Sequence, residues 1–144
     1  MFKEKLKEIP LKDVMAAPAI TIRDNEEFHV VQDKLATYDI RHLPVVNDRG
    51  TLAGLITQRA LYKIHSPRRL EDGSWYYDKD LLDGFILKNV MIQDPVALKG
   101  DSTLQEAMDI MIRSKIGSIP IVDELRRPIG IITRGDILKF FLTK

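Results

Sequence analysis

Residues 133–136, Thr-Arg-Gly-Asp, place a hydroxyl, a guanidinium and a carboxylate within one helical turn. They follow the apolar run Gly130-Ile131-Ile132, which indicates that a strand leads directly into the N-terminus of a helix. The unpaired N–H groups and the dipole of such a terminus favour an anion. Thr133 and Arg134 could therefore bind a phosphate, while Asp136 could accept both hydroxyls of a ribose. Alternatively, Thr133 caps the helix and Asp136 is its capping-box partner, with no ligand.

The chain is an internal duplication with a period of 76 residues. Residues 11–63 align with residues 87–139 without a gap, and 12 of the 53 positions are identical. Unrelated sequences of ordinary composition would share about 3. A duplication on this scale predicts two copies of one structural unit.

The first copy lacks the carboxylate of the second. Its equivalent stretch is Thr57-Gln58-Arg59-Ala60, so Ala60 stands where the second copy has Asp136. Thr57 and Arg59 could still favour an anion. We therefore expect one competent ribose site around Asp136 and a second cleft that is empty, weak or adapted.

Each copy predicts the same order of elements, β-α-β-β-α. Short apolar runs predict strands at 19–22, 43–46 and 52–56, and again at 95–98, 119–122 and 129–132. The helix after the first strand has a buried stripe, namely Phe28, Val31, Leu35 and Ala36, or Leu104, Ala107, Met108, Met111 and Ile112. Ser102 and Gln105 have the spacing of a capping box at the start of the second of these helices.

One such unit is too small to bury both faces of its sheet. Two copies packed with pseudo-twofold symmetry would supply the missing layer. The predicted fold class is therefore α/β, in the mixed α+β sense, with both motifs in one compact module. The predicted boundaries are 9–64 for the first motif, 65–84 for a linker with a short helix, and 85–142 for the second motif.

The bulk composition excludes several classes of protein. The 144 residues carry a net charge of +1, which is not typical of a broad nucleic-acid or membrane surface. No apolar run approaches the roughly 20 residues that a membrane span needs. The absence of cysteine excludes disulfides and thiolate chemistry and favours a reducing compartment. Together with an N-terminus that has no apolar signal region, these features predict a soluble cytoplasmic protein.

Each copy resembles a cystathionine-β-synthase domain, or CBS domain, and the tandem resembles a Bateman module. The resemblance covers nearly the whole chain and depends on several motifs in the same order in both copies. These motifs are Asp13-Val14-Met15, Arg41-His42-Leu43-Pro44-Val45-Val46, Gly54-Leu55-Ile56-Thr57 and Gly130-Ile131-Ile132-Thr133-Arg134-Gly135-Asp136-Ile137.

The resemblance implies a regulatory module that binds an adenosine ligand, such as AMP, ADP, ATP or S-adenosylmethionine, in clefts between the two motifs. No cofactor is required. By the same analogy, the stretch Pro18-Ala19-Ile20-Thr21 would read adenine through backbone groups. Ile40, Arg41 and His42 would approach from the first copy, and Gly117 and Ser118 from the second. Arg41 and His42 are candidate phosphate ligands, although each could equally be an ordinary surface or half-buried residue.

The resemblance also implies a homodimer and a target protein that the sequence does not name. Val30 and Ile110 lie off the main apolar stripes and are candidates for a second buried helical face. Three functions stay open: an adenine-nucleotide sensor, a ligand-free structural module that mediates interactions, and a small enzyme. The enzyme is disfavoured because no residues pair a nucleophile with a base. No spacing indicates a metal site, and His29 and His65 are interpreted as surface residues.

Overall fold

The predicted β-α-β-β-α plan is present twice in the computed structural model, which describes residues 2–64, 68–76, 80 and 83–143. The helices are α1 (Phe2–Leu6), α2 (Phe28–Thr37), α3 (Gln58–Ile64), α4 (Leu87–Val90), α5 (Leu104–Ser114) and α6 (Arg134–Leu142). The strands are β1 (Ile22–Arg23), β2 (His42–Val46), β3 (Leu52–Thr57), β4 (Arg68–Arg69), β5 (Trp75–Tyr76), β6 (Ile92–Gln93), β7 (Leu98–Lys99), β8 (Ser118–Val122) and β9 (Pro128–Thr133). The mixed α/β fold class is confirmed. The predicted linker helix falls partly on residues 81 and 82, outside the described residues.

The two compact units of the chain do not coincide with the two sequence repeats. Unit 1 comprises Met1–Ile20, Gly50–Leu52 and Pro95–Lys144, and unit 2 comprises Thr21–Arg49 and Ala53–Asp94. The leader of the first repeat, residues 11–20, therefore belongs to the unit built around the second repeat. The leader of the second repeat, residues 87–94, belongs to the unit built around the first. Each unit is thus assembled from both repeats.

Equivalent contacts hold each leader in its unit. In unit 1 Ala16 bridges Ile131 of β9, and in unit 2 Ile92 of β6 pairs with Leu55 of β3. A Cβ on Gly130 would lie 2.7 Å from Met15 Sδ and 2.8 Å from the carbonyl oxygen of Ala16.

Gly54 occupies the same position in unit 2. A Cβ on Gly54 would contact Met91 Sδ and lie 2.9 Å from the carbonyl oxygen of Ile92. Both glycines are therefore required by a close approach of another backbone segment rather than by a turn. In each unit, the methionine of one repeat's Val-Met motif therefore packs against the glycine of the other repeat's Gly-x-Ile-Thr motif.

The leader of the first repeat also explains why the first strand of that repeat is shorter than predicted. The run at residues 19–22 is a strand only from Ile22, which pairs with Val45 of β2 in parallel. Before that point the N–H of Ala19 donates to the carbonyl of Ile129, at 3.2 Å, in unit 1. The run at 95–98 likewise becomes a strand only at Leu98. The prediction that the whole of each run forms a strand was wrong.

Each unit contains its own sheet. The strand order is β7-β8-β9 in unit 1, where β8 is parallel to β7 and antiparallel to β9. The order in unit 2 is β1-β2-β3-β6, and a separate hairpin joins β4 to β5. The core cluster of unit 1 consists of Leu6, Leu11, Leu104, Ala107, Met111, Ile119, Ile121, Ile132 and Ile137. Burial of these side chains is the main favourable contribution to folding of the unit.

The apolar stripes of α2 and α5 are narrower than the sequence predicts. Phe28, Val31 and Leu35 are buried on α2, and Leu104, Ala107 and Met111 are buried on α5, where Met108 is half-buried. Ala36 and Ile112 occupy equivalent positions in the two repeats, and both are exposed, Ile112 by 74%. Their predicted burial was wrong because each lies at the edge of the arc that the rest of its unit covers.

The cap of α5 is also displaced by one residue from the predicted one. Thr103 is the N-cap, and its Oγ1 accepts a hydrogen bond of 3.2 Å from the N–H of Glu106. Ser102 instead closes the preceding turn with its backbone. The N–H of Ser102 donates to Lys99, and its carbonyl accepts from Leu11.

The hairpin between β8 and β9 is held by the Asp123 carboxylate. It accepts hydrogen bonds of 2.9 Å from the backbone N–H groups of Leu125 and Arg127 and from Arg127 Nε. The hydrogen bond from the Arg127 N–H is the main cause that holds the pKa of Asp123 below its usual value. This network fixes the start of β9, the strand that leads to Thr133.

Replacing Gln32 by methionine is expected to stabilise the protein by about 1 kcal/mol. Gln32 of α2 is 5% exposed, and its Oε1 has no hydrogen-bond partner among the described residues. A buried carbonyl without a partner costs folding free energy, and the second repeat has Met108 at the equivalent position. Urea denaturation measures the change. A lower midpoint for Gln32→Met than for the wild type would contradict the prediction.

Val30 and Ile110, predicted to lie on a second apolar face, are both half-buried. Among the described residues, no helix has the length and apolar character needed to cross a bilayer.

Candidate functional site

Thr133 and Asp136 form a reciprocal capping box at the junction of β9 and α6. Asp136 Oδ2 accepts hydrogen bonds from the Thr133 N–H, at 2.9 Å, and from Thr133 Oγ1, at 3.0 Å. Thr133 Oγ1 in turn accepts from the Asp136 N–H, at 3.2 Å. The strand runs straight into the helix because these bonds satisfy donors that the first turn leaves unpaired.

The capping box leaves part of the carboxylate available. Both hydrogen bonds from Thr133 end at Asp136 Oδ2, and no other donor within the described part of the chain reaches Oδ1. Asp136 is half-buried. The capping box, one of the two interpretations of this motif, is therefore present. It leaves Asp136 Oδ1 able to accept a hydrogen bond from a ligand.

Arg134 lies beside the start of β8. Its N–H donates to the carbonyl of Gly117, at 3.2 Å. A Cβ on Gly117 would lie 3.5 Å from Arg134 Cζ, so the guanidinium covers the bare backbone of the glycine. Arg134 is exposed and forms no ion pair with any described residue. Ser118 is buried and pairs with Thr133 in the register of β8 and β9.

The leader of the first repeat brings Pro18, Ala19 and Ile20 to the same unit. Ala16 and Ile131 exchange backbone hydrogen bonds of 2.9 and 3.0 Å, and the Ala19 N–H donates to Ile129. The segment therefore runs along β9, the strand that ends at the capping box. Unit 1 thus contains eight of the candidate residues: Pro18, Ala19, Ile20, Gly117, Ser118, Thr133, Arg134 and Asp136.

The remaining candidates belong to unit 2: Thr21, Ile40, Arg41, His42, Thr57 and Arg59. Thr57 Oγ1 accepts a hydrogen bond of 3.1 Å from the Ala60 N–H, so the cap of α3 has only the half that Thr57 provides. The Gln58 N–H donates to the carbonyl of Arg41, at 2.9 Å. His42 is half-buried at the start of β2, whereas Arg41 and Arg59 are exposed.

The two units differ in which of two hydrogen-bonded positions holds an arginine. Arg41 and Gln58 are joined in unit 2 by the same backbone hydrogen bond that joins Gly117 and Arg134 in unit 1. Each pair contains one arginine, but it lies on the β2 side in the first repeat and on the helix side in the second. The sequence analysis did not single out Gln58. An alignment of the two repeats would have done so, because it pairs Gln58 with Arg134 and Arg41 with Gly117.

The CBS domain profile matches residues 11–66 and 87–143. A CBS domain-containing protein of Dictyostelium discoideum is 30% identical over 136 residues, which cover 94% of this chain and 92% of that protein. Inosine-5'-monophosphate dehydrogenase of Methanocaldococcus jannaschii is 32% identical over 136 residues. This chain spans only 23% of the length of that enzyme, and 23% of an L-aspartate semialdehyde sulfurtransferase of the same organism.

Solved structures show the same architecture. The CBS domain pair of protein MJ0100, in complex with 5'-methylthioadenosine and S-adenosyl-L-methionine, superposes with a TM-score of 0.76 at 25% identity. The alignment covers 93% of this chain and 96% of that one. With both repeats matched by the profile and the fold shared over nearly the whole length, this chain belongs to the CBS domain family and is a tandem CBS pair, or Bateman module.

Proposed function

We propose that this CBS pair is a regulatory module that binds an adenine nucleotide, or a related adenosine compound, at the site in unit 1. The observation that carries the proposal is the half-buried Asp136 carboxylate, whose Oδ1 accepts no hydrogen bond from the described residues, on the same first turn of α6 as Arg134, whose exposed guanidinium lies over Gly117. A carboxylate oxygen suits ribose hydroxyls, and a guanidinium at a helix N-terminus suits a phosphate. Backbone groups of Pro18–Ile20 would read the adenine ring.

The complex of the MJ0100 CBS pair with two adenosine compounds supports the same ligand class. Arg134 favours a ligand with a phosphate, which distinguishes AMP, ADP and ATP from S-adenosylmethionine. Binding would signal to a target protein rather than start a reaction, because the two enzymes named above match this chain over only 23% of their length.

A second candidate function is an interaction module without a ligand. It is favoured by the Thr133–Asp136 capping box, which is complete within the protein chain, and by Ala60 in the other repeat.

A homodimer is proposed under either function, because Ile112, Leu138 and Leu142 of unit 1 are 74%, 65% and 85% exposed. Light scattering tests the dimer, and a monomer mass at all concentrations would contradict it.

A thermal-shift panel of AMP, ADP, ATP, NAD, S-adenosylmethionine and 5'-methylthioadenosine tests the ligand proposal. A compound present at 100 times its dissociation constant should stabilise the protein by about 2.7 kcal/mol. We expect at least one adenosine compound with a phosphate to raise the melting temperature, and guanosine monophosphate to serve as the control that does not. If no adenosine compound changes the melting temperature at millimolar concentration, the interaction module becomes the better proposal.

A further inference from the structure

Three side chains that can ligate a metal ion converge in unit 2, at the start of α2. His29 Nδ1 lies 2.9 Å from Asp83 Oδ2, 3.1 Å from Asp83 Oδ1 and 3.3 Å from Glu27 Oε2. One ligand atom from each residue lies within 4.8 Å of the other two. His29 and Asp83 are 54 positions apart in the sequence, so the fold, rather than a local motif, brings the imidazole and the carboxylates together.

The second repeat shows what this helix start looks like without such a cluster. There, Thr103 is the N-cap of α5 and accepts a hydrogen bond from the Glu106 N–H. The equivalent residue in the first repeat is Glu27, which makes no side-chain capping bond. Its carboxylate instead lies against His29, where the second repeat has Gln105.

Asp83 partly replaces the missing cap. Its Oδ1 accepts a hydrogen bond of 3.0 Å from the His29 N–H, which satisfies one donor of the first turn. Glu27 is therefore not needed for capping and does not perform it. Instead, Glu27 and Asp83 each place a carboxylate oxygen close to His29 Nδ1.

The distances within the cluster suit a small divalent ion with mixed nitrogen and oxygen ligands. Ligand atoms at about 2.0–2.2 Å from a tetrahedral zinc ion lie about 3.3–3.6 Å apart. The separation of 3.3 Å between His29 Nδ1 and Glu27 Oε2 already has this value. The separation of 2.9 Å between His29 Nδ1 and Asp83 Oδ2 needs to widen by only a few tenths of an ångström.

The charges of the cluster also favour a cation. With a neutral imidazole, the two carboxylates give the three residues a formal charge of −2, which a divalent ion balances. A nitrogen ligand selects zinc and its neighbours in the transition series over magnesium, which prefers oxygen ligands alone. Exposed fractions of 25% for His29, 18% for Asp83 and 64% for Glu27 leave one side open for entry of the ion and for water as a further ligand.

We propose that Glu27, His29 Nδ1 and Asp83 form a binding site for a divalent transition-metal ion of the zinc type. The ion replaces the proton on Nδ1 and ties Asp83 to the start of α2. The site shares no residue with the adenosine site proposed in unit 1, and neither proposal depends on the other.

Zinc titration calorimetry of the wild type and of the double variant Glu27→Thr/His29→Gln tests this proposal. The variant carries the residues of the second repeat at both positions, and Thr at the N-cap restores a standard helix start, so the fold should be retained. We expect the wild type to bind one zinc ion per chain and the variant to bind it at least about 100-fold more weakly. Cobalt should give the visible absorption bands of a four- or five-coordinate ion with the wild type only.

Two controls keep the result specific. Glu106→Gln removes a carboxylate from the first turn of α5 and should leave zinc affinity unchanged, and magnesium at the same concentration should give no heat with the wild type. The proposal is overturned if the wild type binds no zinc, because His29 is then only hydrogen-bonded to its acidic neighbours. It is equally overturned if the double variant binds zinc as tightly as the wild type.

Discussion

Replacing Asp136 by alanine is expected to weaken the binding of an adenine nucleotide at least about tenfold. The variant removes the acceptor that we assign to the ribose hydroxyls, and a hydrogen bond to a charged group contributes about 1.5–3 kcal/mol. It also removes Oδ2, which accepts from Thr133 in the capping box. Loss of that interaction should lower the stability of the ligand-free protein by about 1 kcal/mol. Calorimetric titration measures the affinity, and urea denaturation measures the stability.

The first repeat shows why this variant should fold. Ala60 occupies the equivalent position, and Thr57 still caps α3 through the Ala60 N–H. Asp109→Ala removes an exposed carboxylate from α5 in the same unit and serves as the matched control, with unchanged affinity. Asp136→Asn keeps an acceptor oxygen for the cap but not the charge, so it should retain stability better than affinity. If Asp136→Ala binds the nucleotide as tightly as the wild type, the carboxylate is a helix cap only.

Replacing Gly130 by alanine is expected to destabilise the protein by about 2 kcal/mol or more. The added methyl group would lie 2.8 Å from the backbone oxygen of Ala16 and 2.7 Å from Met15 Sδ. Met15 can change rotamer, but Ala16 cannot move away without breaking its two hydrogen bonds to Ile131. For a chain of 144 residues, the melting temperature should fall by about 5 °C or more.

Gly135→Ala provides the opposite result in the same unit. Its Cβ would lie 3.6 Å from Thr133 Oγ1, which is an ordinary contact, and Gly135 is in the first turn of α6. Alanine at this position should stabilise the ligand-free protein by about 0.5–1 kcal/mol because glycine loses more conformational freedom in a helix. Equal melting temperatures for the two variants would mean that the leader does not pack closely on β9.

Local patterns predicted most of the elements. The strands β2, β3, β8 and β9 lie within one residue of their predicted bounds, because apolar runs and turn residues act over short distances. The burial of Gln32 and the exposure of Ile112 could not be predicted in the same way. Both depend on which arc of a helix the remainder of the unit covers, and this arc is decided by residues far away in the sequence.

The candidate sites divide along the same line. The Thr133–Asp136 motif is predictable because all of its hydrogen bonds join residues three positions apart. The grouping of Pro18–Ile20 with β9 came only from the family resemblance, since the two segments are more than 100 residues apart. The Glu27–His29–Asp83 cluster has no sequence signature, because Asp83 lies in the predicted linker, 54 positions away from His29.

The exchanged leaders limit how the two repeats can diverge during evolution. Met15 packs on the glycine of the second repeat, and Met91 packs on the glycine of the first. A substitution in either leader must therefore fit the strand of the other repeat rather than the strand of its own repeat. Positions on the two sides of this contact, Met15, Gly54, Met91 and Gly130, have stayed identical in pairs, whereas Ala60 and Asp136, which make no such exchange, have separated. The architecture ties the scaffolds of the two copies to each other and leaves their ligand positions free to specialise.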